Sequence, residues 1–468
     1  MRKPDSCRGC PFWQTGEGFV PDEIIPGSQV LVLGQNPGEY EEKGRKITGY
    51  NTIGAPHWEP HPPAPYLGKT GFDMERNYFP RAGLVRGKVD IGNVVRCRVN
   101  NTNQLPPLVS KDVRHAIAHC QRAHGKVQES IRLIVAEGEY ALYATTGEDG
   151  SDSPGHGISR GISGWRGWLL PYNPPPRSRV AFTDIYTPGR SDLSVLATYH
   201  LAFLYRSPWY RPASQRDWSR VPHVLQGLWP QPLPEIHSLP PEVWPLKAAF
   251  DTEFVPELDN RLTRYSLYDG KTLYVVEYSD SLVLPAVKGR PTVIMHNAEA
   301  DIPHLAPIVG LEDYDIEDTM YAHSVLWADL DHDLDFLGSM YARTNRWKHL
   351  FETNPRVYSG GDAVGTWDPW RQMDREFERD PRSLRVYREF QMPLLPVIAK
   401  ARAHGIRTHQ GRVKLAVEDM AVQLDEATAE AQASVGWPIS VGSPAQVKKQ
   451  LYEVEKIDIN PLTGRPRR

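Results

Sequence analysis

Between Val221 and Pro245 the chain runs through Val221-Pro-His, Leu228-Trp-Pro-Gln-Pro-Leu-Pro234 and Leu239-Pro-Pro-Glu-Val-Trp-Pro245. Proline at this density neither continues a helix nor pairs in a central strand, so the stretch reads as a linker. The chain is 468 residues long, more than one hydrophobic core normally supports, and two or three domains are expected. The division that follows is residues 1–220, the linker 221–245, residues 246–385 and a helical segment 386–468. Both larger parts read as α/β, because short apolar strands in each end in glycine or polar residues and lead into helical patterns.

The four cysteines fall in the first part: Cys7-Arg-Gly-Cys10, then Cys97 and Cys120. A C-x-x-C pair brings two thiolates to one soft metal centre, and two more complete the set for an iron-sulfur cluster or a structural zinc; four buried thiols are the plainer alternative. Around them lie Gln29-Val-Leu-Val-Leu-Gly34-Gln35-Asn36-Pro-Gly38, Val89-Asp-Ile-Gly-Asn93-Val-Val-Arg-Cys97-Arg98 and Val195-Leu-Ala-Thr-Tyr-His200-Leu-Ala-Phe-Leu-Tyr-Arg206. Each is an apolar strand ending in residues able to bind a ligand, the place where open α/β sheets build their sites. The last is expected to lead into a helix.

After the linker the residue pattern changes. Asp251-Thr-Glu253 puts two carboxylates on one face of a strand. His296-Asn-Ala-Glu-Ala-Asp301 places an acid one turn into a helix, and Tyr358-Ser-Gly-Gly-Asp362 sets a phenol and a carboxylate one turn apart. Four such carboxylates, brought together, hold two divalent metals about 4 Å apart, a clamp for phosphodiester hydrolysis. Oxygen ligands favour Mg2+ or Mn2+.

In order, the C-x-x-C start, the G-x-x-P-G turn, Pro65-Tyr66-Leu-Gly68-Lys-Thr-Gly71, N-V-V-R-C-R and T-Y-H-x-A-x-L-x-R resemble the iron-sulfur (family 4 type) uracil-DNA glycosylases over roughly the first 210 residues. The resemblance implies a three-layer α/β/α fold and a structural 4Fe-4S cluster on Cys7, Cys10, Cys97 and Cys120. It also implies uracil flipped out of the DNA stack into a pocket. Tyr66 is then the aromatic platform, Asn93 the reader of the pyrimidine edge, and His200 the donor to the oxyanion forming on the base. Gln35, Asn36 and Glu41 position or polarise the attacking water, and Arg206 contributes to substrate binding. Gln35-Asn36 departs from the usual acid and is closer to the G-x-N-P-G turn of mismatch-specific uracil glycosylases, which points to Asn36 as the water holder. Residues 44–64 look like an inserted loop; it carries His57 and His61, and in one branch of the superfamily a loop histidine bonds to the abasic sugar.

From Leu246 to Trp370 the D-x-E, H-N-x-x-x-D and Y-x-x-x-D order resembles the DEDD 3'-5' exonucleases with a tyrosine in the last motif, an RNase H-like fold. By that resemblance Asp251, Glu253, Asp301 and Asp362 are metal ligands and Tyr358 orients the water. Tyr387 to Arg407 is similar to the junction where a family A DNA polymerase leaves its exonuclease and begins its thumb. Arg412 to Ser434 then reads as an amphipathic helix with Val413, Ala416, Met420 and Leu424 on one face. No polymerase activity is expected from these residues alone, and a polymerase subunit or further polymerase domain is the expected partner. Uracil excision joined to proofreading exonuclease activity is the function implied. The alternatives are an exonuclease with a non-catalytic uracil- or abasic-site sensor, working in a split polymerase, and a mainly structural polymerase partner.

The formal net charge is -3, so contact with uracil-containing DNA and 3' ends must use local patches such as Arg96, Arg98, Arg206 and the basic tail. No membrane span or secretory signal is expected, and clustered thiols suit a reducing cytoplasm, bacterial or in a phage-infected cell.

Overall fold

The computed structural model describes residues 2–99, 105–108, 110–125, 127–148, 161–173, 192–255, 261–277, 285–305 and 313–455. It is a mixed α/β structure of two compact units, Met1–Ala399 and Lys400–Arg468.

The first sheet of the larger unit contains β1 (Val30–Gly34), β2 (Asp90–Asn93), β3 (Leu133–Glu137), β4 (Leu169–Pro171) and β5 (Ser194–Thr198), in the order β2-β1-β3-β5-β4. All neighbours are parallel except β4 and β5. Every residue of β1 and β3 is buried, because layers cover both faces. Leu31 and Leu33 face one apolar cluster with Ile134 and Ala136, while Val30 and Val32 face a second with Leu133 and Val135. Helices α1 (Lys111–His124) and α2 (Glu139–Thr146) supply the first cluster. Val113, Ala116, Ile117 and Cys120 of α1 are buried at helical spacing, so the fourth cysteine points inward.

The second sheet contains β6 (Ile236–His237), β7 (Lys247–Val255), β8 (Arg261–Tyr268), β9 (Leu273–Glu277), β10 (Thr292–Met295) and β11 (Asp315–Asp318), in the order β6-β9-β8-β7-β10-β11. β7, β8 and β9 run antiparallel in turn, and β10 and β11 lie parallel to β7.

The proline-rich stretch is not an open connector. Helix α3 (Arg211–Ser219) is followed by α4 (Val221–Leu225), with Pro222 in the first turn, where a missing N–H costs nothing. Trp229 is buried, and β6 is an edge strand of the second sheet. Trp168, Trp218, Trp229 and Trp347 share one apolar cluster, so residues on either side of the stretch pack into a common core. Arg166 and Asp217, both without solvent exposure, pair at 2.8 Å within it. Asn345 exchanges two hydrogen bonds with the backbone of Leu169.

Beyond residue 385, Tyr387 still packs in the larger unit, stacked on Phe377 and donating to Glu317 Oε2 at 2.8 Å. The smaller unit is dominated by a helix, Gln410–Val435, started by the His409 side chain and ended by Gly436 in the left-handed region. Met420 and Leu424 on it are 67% and 62% exposed, an apolar face left open. Among the described residues no helix is long and apolar enough to cross a membrane.

Candidate functional sites

At the carboxyl ends of β1, β2 and β3, one cavity is lined by Asn36, Glu41, Tyr66, Asn93 and His200 together with Tyr50 and Lys69. Parallel pairing sets Gly34 opposite Asn93. A Cβ at Gly34 would lie 2.2 Å from Tyr66 Oη and 2.8 Å from Asn93 Oδ1, so only glycine lets the two side chains meet there. Tyr66 itself has φ 55°, a backbone conformation seldom taken by a bulky residue and found where a site dictates it.

Tyr66 donates its hydroxyl to Glu137 Oε2 at 2.6 Å. Glu137 also accepts from the Leu201 backbone, and burial raises its carboxyl to about 8. It therefore ties the Tyr66 ring to the segment carrying His200, a role no local sequence pattern announces. His200 Nδ1 accepts from the Ala202 N–H at 3.1 Å, which leaves the ring proton on Nε2. Burial, then the positive charge of Arg206, lowers this imidazole to about 4. It is a neutral donor at ordinary pH, its ring 6.4 Å from that of Tyr66 and tilted by 26°. The expected helix after it is only a 3-10 turn, Phe203–Tyr205.

Both Glu41 oxygens are engaged: Oε2 accepts from Gly38 N–H at 3.0 Å and Oε1 from Gly68 N–H at 2.9 Å. Glu41 thus clasps the two glycine turns. Asn36 Nδ2 donates to Pro37 O, while its buried Oδ1 has no protein partner. Gln35 and Arg206 do not line the cavity. Gln35 acts through its backbone oxygen, which accepts from Val95 N–H, and Arg206 is exposed.

The expected inserted loop is an antiparallel hairpin, Arg45–Tyr50 with Pro56–Pro60, because Asn51 Oδ1 closes its turn on the N–H groups of Ile53 and Ala55. Its Ile47, Tyr50 and Pro56 flank the cavity, whereas His57 and His61 do not. Arg96 and Arg98 are not a nucleic-acid patch: Arg96 is buried against Asp22, and Arg98 against Glu17 and Glu42. The basic tail lies outside the described residues.

Cys7, Cys10, Cys97 and Cys120 line a second cavity with Lys3, Arg96 and His124. Burial, then the neighbouring Cys120 and Cys10, pushes the Cys7 thiol up to about 11, and burial takes Cys97 to about 12. Loading a metal here therefore displaces protons. Arg96 Nη1 lies 3.5 Å from Cys120 Sγ and Cys7 Sγ lies 3.2 Å from His124 Nε2, contacts that suit anionic sulfur. Four thiols around one cavity are a donor set that an iron-sulfur cluster or a structural zinc accepts. Among the described residues the acids Asp251, Glu253 and Asp362 form a group whose ligand atoms all lie within 4.8 Å of one another.

Those three acids form the third site. Asp251 and Glu253 share a face of β7, and Asp362 comes from helix α7 (Pro355–Arg379), one turn after Tyr358. Asp301, in helix α5 (Ala298–Leu305), falls outside the 4.8 Å group and accepts from Thr252 Oγ1. Burial, then Asp362 and Glu253, holds Asp251 well above the carboxylate range; burial and Asp362 raise Glu253 to about 7, and burial raises Asp301 to about 7. Burial together with like charge thus disfavours ionisation of Asp251, Glu253 and Asp301, a penalty that a bound cation would relieve.

Side chains other than the motif acids and Tyr358 complete this site. Lys348 Nζ lies 2.5 Å from Asp362 Oδ1 and donates to the Tyr358 hydroxyl at 3.2 Å. Burial, the largest influence, opposes its charge, but Asp362, Tyr358 and Asp251 together more than offset this and the ammonium titrates above its usual range. Ser359 Oγ donates to Glu253 Oε1 at 3.0 Å, and Trp347 Nε1 to Asp362 Oδ1 at 2.7 Å. Asp318 accepts from the N–H groups of Ala298, Met320 and Tyr321, capping two helices. It thereby fixes Asn297, whose φ is 60°.

No protein-family profile matches this chain. Over 96 residues it is 30% identical to the type-4 uracil-DNA glycosylase of Sulfurisphaera tokodaii, covering 20% of this chain and 36% of that enzyme, so little more than a third of that curated relative is spanned. Among solved structures, Brucella melitensis NrnC with bound Mg2+ aligns over 36% of this chain and 92% of its own, at 20% identity and a TM-score of 0.29. The same protein bound to pGG aligns over 36% and 91%, at 19% identity and a TM-score of 0.30.

Proposed function

We propose that this chain is a nucleic-acid hydrolase with two chemistries: uracil excision at the Asn36–His200 cavity and two-metal 3'-5' exonuclease hydrolysis at the Asp251–Asp362 site. The observation that carries the reading is convergence. Asn36, Tyr66, Asn93 and His200, far apart in sequence, line one cavity, and Asp251, Glu253 and Asp362 gather within 4.8 Å.

In the first site an extruded uracil packs against Tyr66, and the Asn93 amide bonds its carbonyl and imide N–H. His200 Nε2–H donates to the base oxygen that gains charge as the glycosidic bond breaks; a neutral imidazole is a fixed donor there and adds no competing proton transfer. Asn36 Oδ1, buried and unpartnered, accepts from the attacking water. Cys7, Cys10, Cys97 and Cys120 hold a 4Fe-4S cluster in a structural role.

In the second site the RNase H-like reading gives the four carboxylates to Mg2+ or Mn2+. Such ions would supply activation of a water and stabilisation of the leaving oxygen. Tyr358 orients the attacking water, and Lys348 limits the net negative charge of the acids. The open apolar face of Gln410–Val435, with Met420 and Leu424 exposed, is assigned to a DNA polymerase subunit or domain.

One observation favours a sensing role for the first site. Glu41 is consumed by backbone contacts, so the neutral Asn36 alone positions water.

The test uses an oligonucleotide with a single uracil, incubated with chelator and then alkali. Cleavage at the uracil is expected; its absence with retained binding leaves the sensor. Mg2+ with a 3'-labelled strand should release label in wild type and not in Asp251→Ala. Equal release by both removes the exonuclease assignment.

A further inference from the structure

Trp347, 1% exposed, sits in a slot cut by three glycines. A Cβ at Gly361 would lie 2.3 Å from its Cγ, one at Gly365 2.2 Å from its Cζ2, and one at Gly338 2.6 Å from its Cη2. Gly361 and Gly365 are one turn apart on α7, and Gly338 belongs to helix α6 (Leu334–Tyr341). Glycine inside a helix costs about 1 kcal/mol against alanine, and here its effect is to admit the indole. Between the two α7 glycines stands Asp362, whose Oδ1 receives the Trp347 N–H at 2.7 Å. Indole nitrogen is a donor only, so this contact has one polarity at every pH.

The same indole meets the first sheet's layer. Its ring lies 5.7 Å from that of Trp168, edge to face at 85°, and a Cβ at Gly338 would also crowd Trp168 Cη2 at 3.2 Å. The flanking residues repeat the pattern. Arg346 lies over the Trp165 ring at 4.1 Å while pairing with Asp335 at 3.2 Å. Lys348 reaches Asp362 and Tyr358.

We infer that Arg346-Trp347-Lys348 is a positioning element that holds Asp362 in its metal-binding orientation, set from the first sheet through Trp165 and Trp168. The inference rests on the two-metal reading of the carboxylate site. Partners that orient a ligating carboxylate are worth about 10- to 100-fold in metal affinity or activity, and substitutions that reach a site through packing about two- to thirtyfold.

The experiment is a Mn2+ titration of the full chain, read by the EPR signal of free Mn2+, with thermal melting alongside. Replacing Trp347 site-specifically by β-(3-benzothienyl)alanine keeps the ring shape and swaps the N–H for sulfur. About 10- to 100-fold weaker Mn2+ binding is expected, with melting little changed. Trp168→Phe and the half-buried Trp165→Leu should each weaken binding about two- to thirtyfold although neither touches a carboxylate of the site. Wild-type affinity in the Trp347 replacement, with Asp251→Asn weakened, overturns the positioning role alone. Wild-type affinity in both Trp165 and Trp168 variants overturns its dependence on the first sheet. If Asp251→Asn also binds Mn2+ normally, the two-metal reading falls and this inference with it.

Discussion

Glu137 offers a measurement of how strongly the first cavity constrains its own chemistry. Its side chain has no solvent exposure, and burial raises its carboxyl from 4.5 to about 8. Between those values the folded chain keeps a proton that the unfolded chain releases. The stability it contributes is complete below pH 4.5 and is lost as pH rises to about 8. At 1.36 kcal/mol per unit, the loss is about 3 kcal/mol at pH 7 and about 5 kcal/mol above pH 8. Glu137→Gln keeps an acceptor for the Tyr66 hydroxyl and carries no charge at any pH. Urea unfolding of wild type and variant, followed by circular dichroism from pH 4.5 to 8.5, should show the variant gaining about 3–5 kcal/mol on wild type across the range. His200 works in the opposite sense, its stability being lost as pH falls from 6.5 to about 4, but it is present in both proteins and cancels in the difference. Parallel curves would refute the account, because they would mean that Glu137 ionises in the folded chain as easily as in the unfolded one.

Three further outcomes are expected. His200→Ala should lower single-turnover uracil release by about 100- to 1000-fold with 3' exonuclease rates unchanged, since the imidazole lies in the first cavity only. Arg166→Ala leaves the fully buried Asp217 without its ion partner and should cost about 3–5 kcal/mol; because Arg166 also donates to Ser339 O, both activities should be lost at the same lowered temperature. Cys97→Ser should abolish a brown chromophore in anaerobically purified protein, while a wild-type preparation that is colourless and carries zinc would overturn the cluster.

Much of the geometry that gathers these side chains is legible in the sequence, and the reason is local. Asp251 and Glu253 share a face because strand side chains alternate, and Tyr358 and Asp362 meet because they are four residues apart on a helix. Asn93 and His200 stand at strand ends, where parallel sheets gather ligands. The residues that escaped have no such signature. Glu137 reads as the last residue of a strand until Tyr66 arrives from 71 residues away. Lys348 and Trp347 belong to none of the sequence motifs, and only packing sets both against Asp362. Arg96 and Arg98 misled in the converse way, since charge in a sequence does not announce that an acid will bury it.

The proline-rich stretch marks the same boundary between the two kinds of information. Sequence alone determined that residues 221–245 hold no long helix or central strand, only a five-residue helix and a two-residue edge strand, because proline's fixed φ and missing N–H act within the residue itself. Tertiary structure decided that the break does not separate two cores. Burial of Trp168, Trp229 and Trp347 in one cluster depends on which apolar faces meet, a choice made by shape and area over long separations rather than by any local rule.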